Sequence, residues 1–419
     1  KILADMGVLA YIQPMHDHFM SEYPPDCAQR IAWVCGFTGS AGTLLVADKK
    51  AALFTDGRYT IQAAREVEGG LFEVHNSADL TPQAWLAAHA GQGAVGYDAS
   101  LFTRPMLAKF SQVMVAVENP IDALWDDQPA YPATKIFTHG VEHAGESAAD
   151  KCAAIAKGVR EAGAEALLVT APDSLCWLTN LRARDTECTP LILAHGILYA
   201  DGKFVLFVDP ARMPAGVEAH ISAVHPERFA QMLAVLSGKT MQVDENQTPV
   251  FVLDALEKAG VKTMHREDPC TLPKACKNAV QLAGIRAAHI RDGRAVRELL
   301  VWLKNHSDIE TVLEMDVAEK LLELRGRDNS FLEPSFPTIA GAGENGAVVH
   351  YRATEKTNRR LKKGELLLID SGGQYPDGTT DITRTVAIGT PSPAQKRHFT
   401  LVLKGHIALA QAVFPKGTR

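Results

Sequence analysis

The sequence predicts a mixed α/β protein, α/β (α+β) in class, built from three successive regions. Three observations carry this. The 419 residues exceed a single compact domain of ~100–200 residues. Short strand-like apolar runs alternate with helical stretches along most of the chain. A thirteen-residue pattern also occurs twice: Leu44-Leu45-Val46-Ala47-Asp48-Lys49-Lys50-Ala51-Ala52-Leu53-Phe54-Thr55-Asp56 aligns with Ile197-Leu198-Tyr199-Ala200-Asp201-Gly202-Lys203-Phe204-Val205-Leu206-Phe207-Val208-Asp209. The Ala-Asp turn, the lysine two residues on and Leu-Phe-x-Asp recur at one offset, and a tryptophan, Trp33 or Trp177, precedes each copy. Such self-similarity predicts two related α/β domains in tandem, with Asp48 and Asp201 at equivalent turns.

Composition narrows the class. Apolar residues make up 46% and charged residues 22%, which argues against a disordered chain, a collagen-like repeat or a disulfide scaffold. A net charge of −6 supplies no global basic field for nucleic acid. No apolar run approaches the ~18 residues of a membrane helix. Neither nucleic acid nor membrane is therefore an expected partner. The seven cysteines are odd in number and form no Cys-x-x-Cys; they read as buried or free thiols in a reducing cytosol. The chain begins at Lys1 without Met and stops at Arg419 just after a helix-like run, which reads as a fragment at both ends.

In the first region, residues 1–125, Leu44 to Val46 and Ala51 to Thr55 are expected strands, and Thr60 to Val67 and Thr81 to Ala90 helices, the latter capped by Thr81. Residues 126–145 carry Pro129 and Pro132 and read as a linker. The second region, 146–268, opens with a helix to Ala162 and the strand Ala166 to Val169. The third, 269–419, follows the Asp268-Pro269-Cys270-Thr271-Leu272-Pro273 linker. Lys277 to Asn305 reads as one long helix, with Ile285, Ala288, Ala295, Val296, Leu299, Leu300 and Leu303 on one stripe. Ser307-Asp308-Ile309-Glu310 has the capping-box pattern and is expected to start a helix reaching Arg325. Strands are expected over Ser335 to Ala340, Ala347 to Tyr351, Gly364 to Ser371 and Thr379 to Ile388, and a last helix over Ser392 to Val413.

The chemistry concentrates in Leu366 to Thr385. Four apolar residues lead a strand into the interior and onto Asp370; a turn follows, then a second strand bearing Asp381. Two carboxylates brought together repel and call for a cation. Register decides whether they meet. A loop centred on Tyr375-Pro376 puts Asp370 opposite Asp381 with Cβ atoms ~5 Å apart, close enough to share two metal ions. With Asp377-Gly378 as a two-residue turn, Asp370 instead faces Thr385, and the segment is a solvated hairpin. The residues alone leave both open; the expectation adopted is the first register. Asp370-Ser371-Gly372-Gly373 echoes a serine-protease nucleophile segment, but Ile369 stands where glycine is needed. Gly341-Ala342-Gly343-Glu344-Asn345-Gly346 spells G-x-G-x-x-G, yet a strand-like run rather than a helix follows it, which excludes a dinucleotide fingerprint. His350 falls near the end of that run.

Taken together, these segments resemble the long, three-domain form of aminopeptidase P, the Xaa-Pro aminopeptidase of the pita-bread metallopeptidases. The resemblance runs through Ser21-Glu22-Tyr23, Phe37 to Thr43, Phe54-Thr55-Asp56-Gly57-Arg58-Tyr59, Ala144 to Ser147, Pro273 to Asn278, Asn345 to Tyr351 and the Asp370–Thr385 hairpin. It implies two tandem creatinase-like α/β N-terminal domains and a partial pita-bread catalytic domain. It implies a pair of divalent ions, manganese by family habit, held by two Asp, one His and two Glu. Asp370 and Asp381 match the two Asp. His350 matches a histidine that contacts substrate and helps move protons. The metal-binding His, expected in a Gly-Thr-Gly-His-Gly segment, and both Glu fall beyond residue 419, so residues 1–419 alone are expected to be inactive. A smaller departure is Asp185 to Pro190, where relatives usually carry His at Cys188 or beside it. The implied activity is release of the first residue from peptides with proline second, in a cytoplasmic homodimer. The alternatives are a metal-free pita-bread binding protein and a prolidase- or creatinase-type hydrolase; the tandem N-terminal repeat favours aminopeptidase P.

Overall fold

The computed structural model describes residues 1–47, 49–91, 93–415, 417 and 418. It divides into two compact units. The first holds Lys1–His289 with Gln374–Thr379, and the second Ile290–Gly373 with Thr380–Arg419.

The first unit contains two six-stranded sheets of identical topology. One is formed by β1 (Ala10–Pro14), β2 (Thr43–Ala47), β3 (Lys50–Thr55), β4 (Glu73–Asn76), β5 (Val95–Tyr97) and β6 (Met114–Ala116), in the order β4-β3-β2-β1-β5-β6. The other is formed by β7 (Ala166–Val169), β8 (Gly196–Tyr199), β9 (Phe204–Phe207), β10 (Ile221–Val224), β11 (Thr240–Val243) and β12 (Lys262–His265), in the order β10-β9-β8-β7-β11-β12. In each sheet the first three strands pair antiparallel and the remaining pairings are parallel. Details repeat as well. Gly7 and Gly163 each stand three residues before the first strand with φ of +72° and +88°, the left-handed helix exit that glycine adopts without strain. Asp98 and Asp244 each follow the fifth strand and reach the segment after the sixth: Asp98 Oδ2 accepts from Asn119 Nδ2 at 3.1 Å, and Asp244 Oδ2 from the Asp268 N–H at 2.9 Å. Common order, direction and detail support the duplication read from the repeat. The turn at Asp201 is held by the Lys203 N–H and ammonium, whereas Asp48 lies outside the described residues.

Strand alternation builds the cores. Leu44 and Leu53 pair on one face with Ile31, Phe37 and Tyr59, while Leu45, Ala52 and Phe54 face Trp85 and Phe102 on the other. Each fully buried side chain of this size contributes ~1.5–3 kcal/mol. The expected Thr81 cap is present, its hydroxyl accepting from the Ala84 N–H. All seven cysteines are free thiols, and only Cys276 is exposed. Among the described residues no helix is long and apolar enough to cross a membrane.

The second unit carries an antiparallel three-stranded sheet, β13 (Ile339–Ala342), β14 (Leu366–Ser371) and β15 (Ile382–Ala387), with β14 in the middle. Leu367 and Ile369 pack against Val296, Leu299 and Leu303 of helix Ala279–Asn305 and Val317, Leu321 and Leu324 of helix Glu314–Arg325. Three expectations need correction here. The strand expected over Ser335 to Ala340 begins only at Ile339, with 335–338 outside any strand. The helix expected from Ser307 is one 3-10 turn, Ile309–Thr311, and the true helix starts at Glu314. Backbone pairing is the reason: Leu361 N–H bonds Val312 O, and Glu314 N–H bonds Arg359 O, which pulls residues 312–314 into an extended path. Residues 347–351 are not a strand. They end a 3-10 helix, Gly343–Ala347, and then turn. The fully buried Glu314 carboxylate accepts from Ala342 N–H (2.7 Å), Asn345 Nδ2 (3.1 Å) and Tyr351 OH (2.8 Å), curling the chain around itself. This also disposes of the G-x-G-x-x-G pattern as a phosphate loop, since five 3-10 residues give no helix N-terminus for an anion.

Candidate metal centre

Along β14 the alternation is strict: Leu367, Ile369 and Ser371 are buried, and Leu366, Leu368 and Asp370 are half-buried on the other face. Across the sheet Asp370 lies opposite Ile339 of β13 and Thr383 of β15. The hairpin tip pairs Gln374 with Thr379 and Tyr375 with Gly378, so the turn residues are Pro376 and Asp377. The expected register, centred on Tyr375-Pro376, is therefore corrected: Asp370 faces Thr383, and Asp381 is its diagonal neighbour. Diagonal pairs sit ~7–8 Å apart, within reach of a shared ion. Gly378 misleads as a turn signal. It is glycine because a Cβ there would lie 3.0 Å from Ile285 Cα and 3.1 Å from Ala288 Cβ.

Thr383 Oγ1 donates to Asp370 Oδ1 at 2.7 Å. Thr380 is buried and Asp381 exposed, so the alternation carries Asp381 to the same side as Thr383. His350 is half-buried in the turn after the 3-10 helix. Its neighbours Val348 and Tyr351 cluster with Ile339 and Leu368, both on the Asp370 face of the sheet. Asp370 and Asp381 thus share one face of the sheet, and the residues flanking His350 pack on that same face. Two carboxylates, one already oriented by a hydroxyl, fit a hard divalent cation as oxygen donors. Among the described residues no group of three or more His, Cys, Asp or Glu is placed to hold a metal.

Behind the hairpin lies a buried network that sequence reading missed. Arg325 donates through Nε to Asp292 Oδ1 (2.6 Å) and through Nη2 to Asp292 Oδ2 (3.1 Å) and Ser371 Oγ (3.1 Å). Thr380 Oγ1 donates to Asp292 Oδ2 (2.7 Å) and accepts from the Gly373 N–H (2.9 Å). A signal was available: Asp292 stands on the apolar stripe of its helix, four residues from both Ala288 and Val296, and a charge there must have a partner. In the first unit, Cys188 is buried with φ +61°, and its carbonyl accepts from Gln374 Nε2 at 2.9 Å.

Residues 20–124 match the creatinase/prolidase N-terminal domain, 127–281 match a second model of the same description, and 283–419 match metallopeptidase family M24. The class so defined is an M24 metallopeptidase with creatinase-type N-terminal domains. A probable Xaa-Pro aminopeptidase P of Laccaria bicolor is 34% identical over 100% of this chain and 68% of its own length. Aminopeptidase P2 of Arabidopsis thaliana is 34% identical over 99% and 65%. The crystal structure of the X-prolyl aminopeptidase of Caenorhabditis elegans, described as a cytosolic enzyme with a di-nuclear active site, matches with a TM-score of 0.90 at 27% identity, over 98% of this chain and 71% of that one. The chain belongs to the Xaa-Pro aminopeptidase P family, and its fold is a mixed α/β one with creatinase N-terminal domains and an M24 pita-bread domain. It spans about two thirds of the length of the two curated relatives.

Proposed function

We propose that the whole protein is a metal-dependent aminopeptidase that releases the N-terminal residue from peptides with proline in second position. The observation that carries this is the hairpin face on which Asp370 and Asp381 stand, within a chain similar over its full length to Xaa-Pro aminopeptidases. Asp370 and Asp381 would hold two divalent ions, manganese by our reading, together with the further ligands of the family. The ions, when bound, supply Lewis acidity for attack of water on the scissile carbonyl. Thr383 donates its hydroxyl to Asp370 Oδ1 and would hold that carboxylate in one orientation for them. The nitrogen of an Xaa-Pro bond carries no hydrogen, so it must gain a proton to leave, and His350 is the group we assign to that proton. The same reading makes the protein a cytoplasmic homodimer, with domains at 1–125 and 146–268, a linker at 126–145, and the first part of the catalytic domain at 269–419. The family match to 20–124 supports the division near 125, whereas the match to 127–281 includes residues 127–145 and 269–281 with the second domain; the free thiols support the location.

The test is release of the first residue from an Xaa-Pro peptide by the whole protein with manganese, followed by chromatography. Asp381→Ala is expected to abolish turnover while leaving the fold intact. Parent-like turnover in that variant would show that the centre lies elsewhere.

A further inference from the structure

We propose that the buried Asp292–Arg325 ion pair is a positioning device for the candidate metal carboxylates. It grips Ser371 and Thr380, the chain neighbours of Asp370 and Asp381, and so sets the separation and direction at which both carboxylates meet an ion. This rests on the reading of Asp370 and Asp381 as ligands.

The geometry is specific. Asp292 and Arg325 come from two different helices, and their side chains are 0% and 1% exposed. Desolvating both charges is costly unless every remaining donor and acceptor is used. Here the surplus contacts go to two hydroxyls, Ser371 through Arg325 and Thr380 through Asp292. Those hydroxyls flank the candidate ligands on opposite strands. Alternation sends Ser371 to the face opposite Asp370 and Thr380 to the face opposite Asp381. Fixing the inner side chain therefore fixes the pleat that aims the outer one.

The grip falls where backbone pairing gives out. Regular pairing of β14 with β15 ends at Ser371 and Ile382. Past that point the strands are joined by the Thr380 N–H to Gly373 O (2.9 Å) and by the Gly373 N–H to the Thr380 hydroxyl (2.9 Å). Asp381 sits just outside the ladder, so its placement depends on Thr380, and Thr380 depends on Asp292. One ion pair thus couples the two carboxylates, which neither strand does alone.

The experiment is calorimetric titration of the whole protein with manganese. Thr380→Val keeps the side-chain shape and removes the hydroxyl; it is expected to weaken manganese binding ~10–100-fold, the usual effect of losing a partner that orients a ligand. Thr380→Ser should restore parent affinity, and Ser371→Ala should weaken it in the same direction. Turnover by Thr380→Val should return at saturating manganese. A merely structural role lowers the amount of folded protein without moving the manganese dependence. Parent-like affinity in both Thr380→Val and Ser371→Ala overturns the proposal. If Thr380→Val does not fold, Ser371→Ala decides alone, since it leaves the ion pair and Thr380 in place. Asp370→Ala and Asp381→Ala, run alongside, separate the two readings. Loss of metal in these but not in the hydroxyl variants removes only the positioning role. Parent-like metal binding in them removes the ligand assignment, and the positioning role with it.

Discussion

Asp370 lies directly opposite Thr383, whose Oγ1 donates to its Oδ1 at 2.7 Å. The bond engages one carboxylate oxygen, and under the proposed ligand role the other would face the cation. Thr383 is exposed, so its hydroxyl contributes little to folding, and loss of the bond should be felt in ligand geometry. Thr383→Val is expected to weaken manganese binding about 10-fold with melting temperature nearly unchanged, and Thr383→Ser should match the parent. Titration calorimetry beside thermal melts checks both halves.

Gly372 tests how tightly the hairpin is closed behind the carboxylates. A Cβ at this position would collide with the Thr380 carbonyl oxygen and the Ser335 hydroxyl. Ser335 itself ties the strands, donating its hydroxyl to Thr380 O and its N–H to Gly372 O. The obstacles include backbone, so relaxation is costly. Gly372→Ala is expected to lose ~1–3 kcal/mol of stability as an overpacking change, read from urea denaturation, and to displace Asp381. Unchanged stability would mean that the strands can separate freely there.

Glu314 holds the turn that presents His350. Its carboxylate is fully buried and receives Ala342 N–H, Asn345 Nδ2, Tyr351 OH and the Arg359 N–H at 3.2 Å. A carboxylate only accepts, whereas an amide must donate through one end. Glu314→Gln therefore sets an NH2 group against fixed N–H donors. The expected loss is ~1–3 kcal/mol for a stranded buried polar group, with Tyr351→Phe losing less. Denaturation curves for the two variants should fall in that order.

How much of this was legible in the sequence depended on the range of the interactions. Tandem sheets announced themselves because alternation and the Ala-Asp turn are local patterns, as is the Thr81 cap. Asp370 and Asp381 stood out because an apolar strand ending on a carboxylate is conspicuous. Their register did not: the turn at Pro376-Asp377 falls between the two registers considered, and the local glycine signal at Gly378 answers instead to Ile285, ninety-odd residues away. The segment at 347–351 was misread for the same reason. Its apolar residues suit a strand, but Glu314 gathers the donors around it from another helix. Asp292 was the one long-range feature with a local trace, a charge on an apolar stripe.

The N-terminal unit carries its own acid sensitivity. His195 is packed among the rings of Phe19, Phe229 and Phe251 at 5.0, 6.1 and 6.2 Å, and its Nε2 is buried with no hydrogen-bond partner. Burial, with a smaller push from nearby His18, lowers its pKa from 6.5 to about 3. His139 is likewise lowered to about 3, by burial first and then by Arg182. In the unfolded chain both titrate near the ordinary ~6.5. Between pH 6.5 and 3 the unfolded state therefore binds more protons than the folded one. Stability is fully present above that window and falls as pH drops through it, by up to ~1.4 kcal/mol per pH unit for each such histidine. His195→Phe fits a pocket already lined by phenylalanine and removes one of these protons. Urea denaturation at intervals from pH 6.5 down should show the slope of stability against pH reduced by about one proton in the variant. Equal slopes would mean that His195 titrates in the folded protein as it does in water.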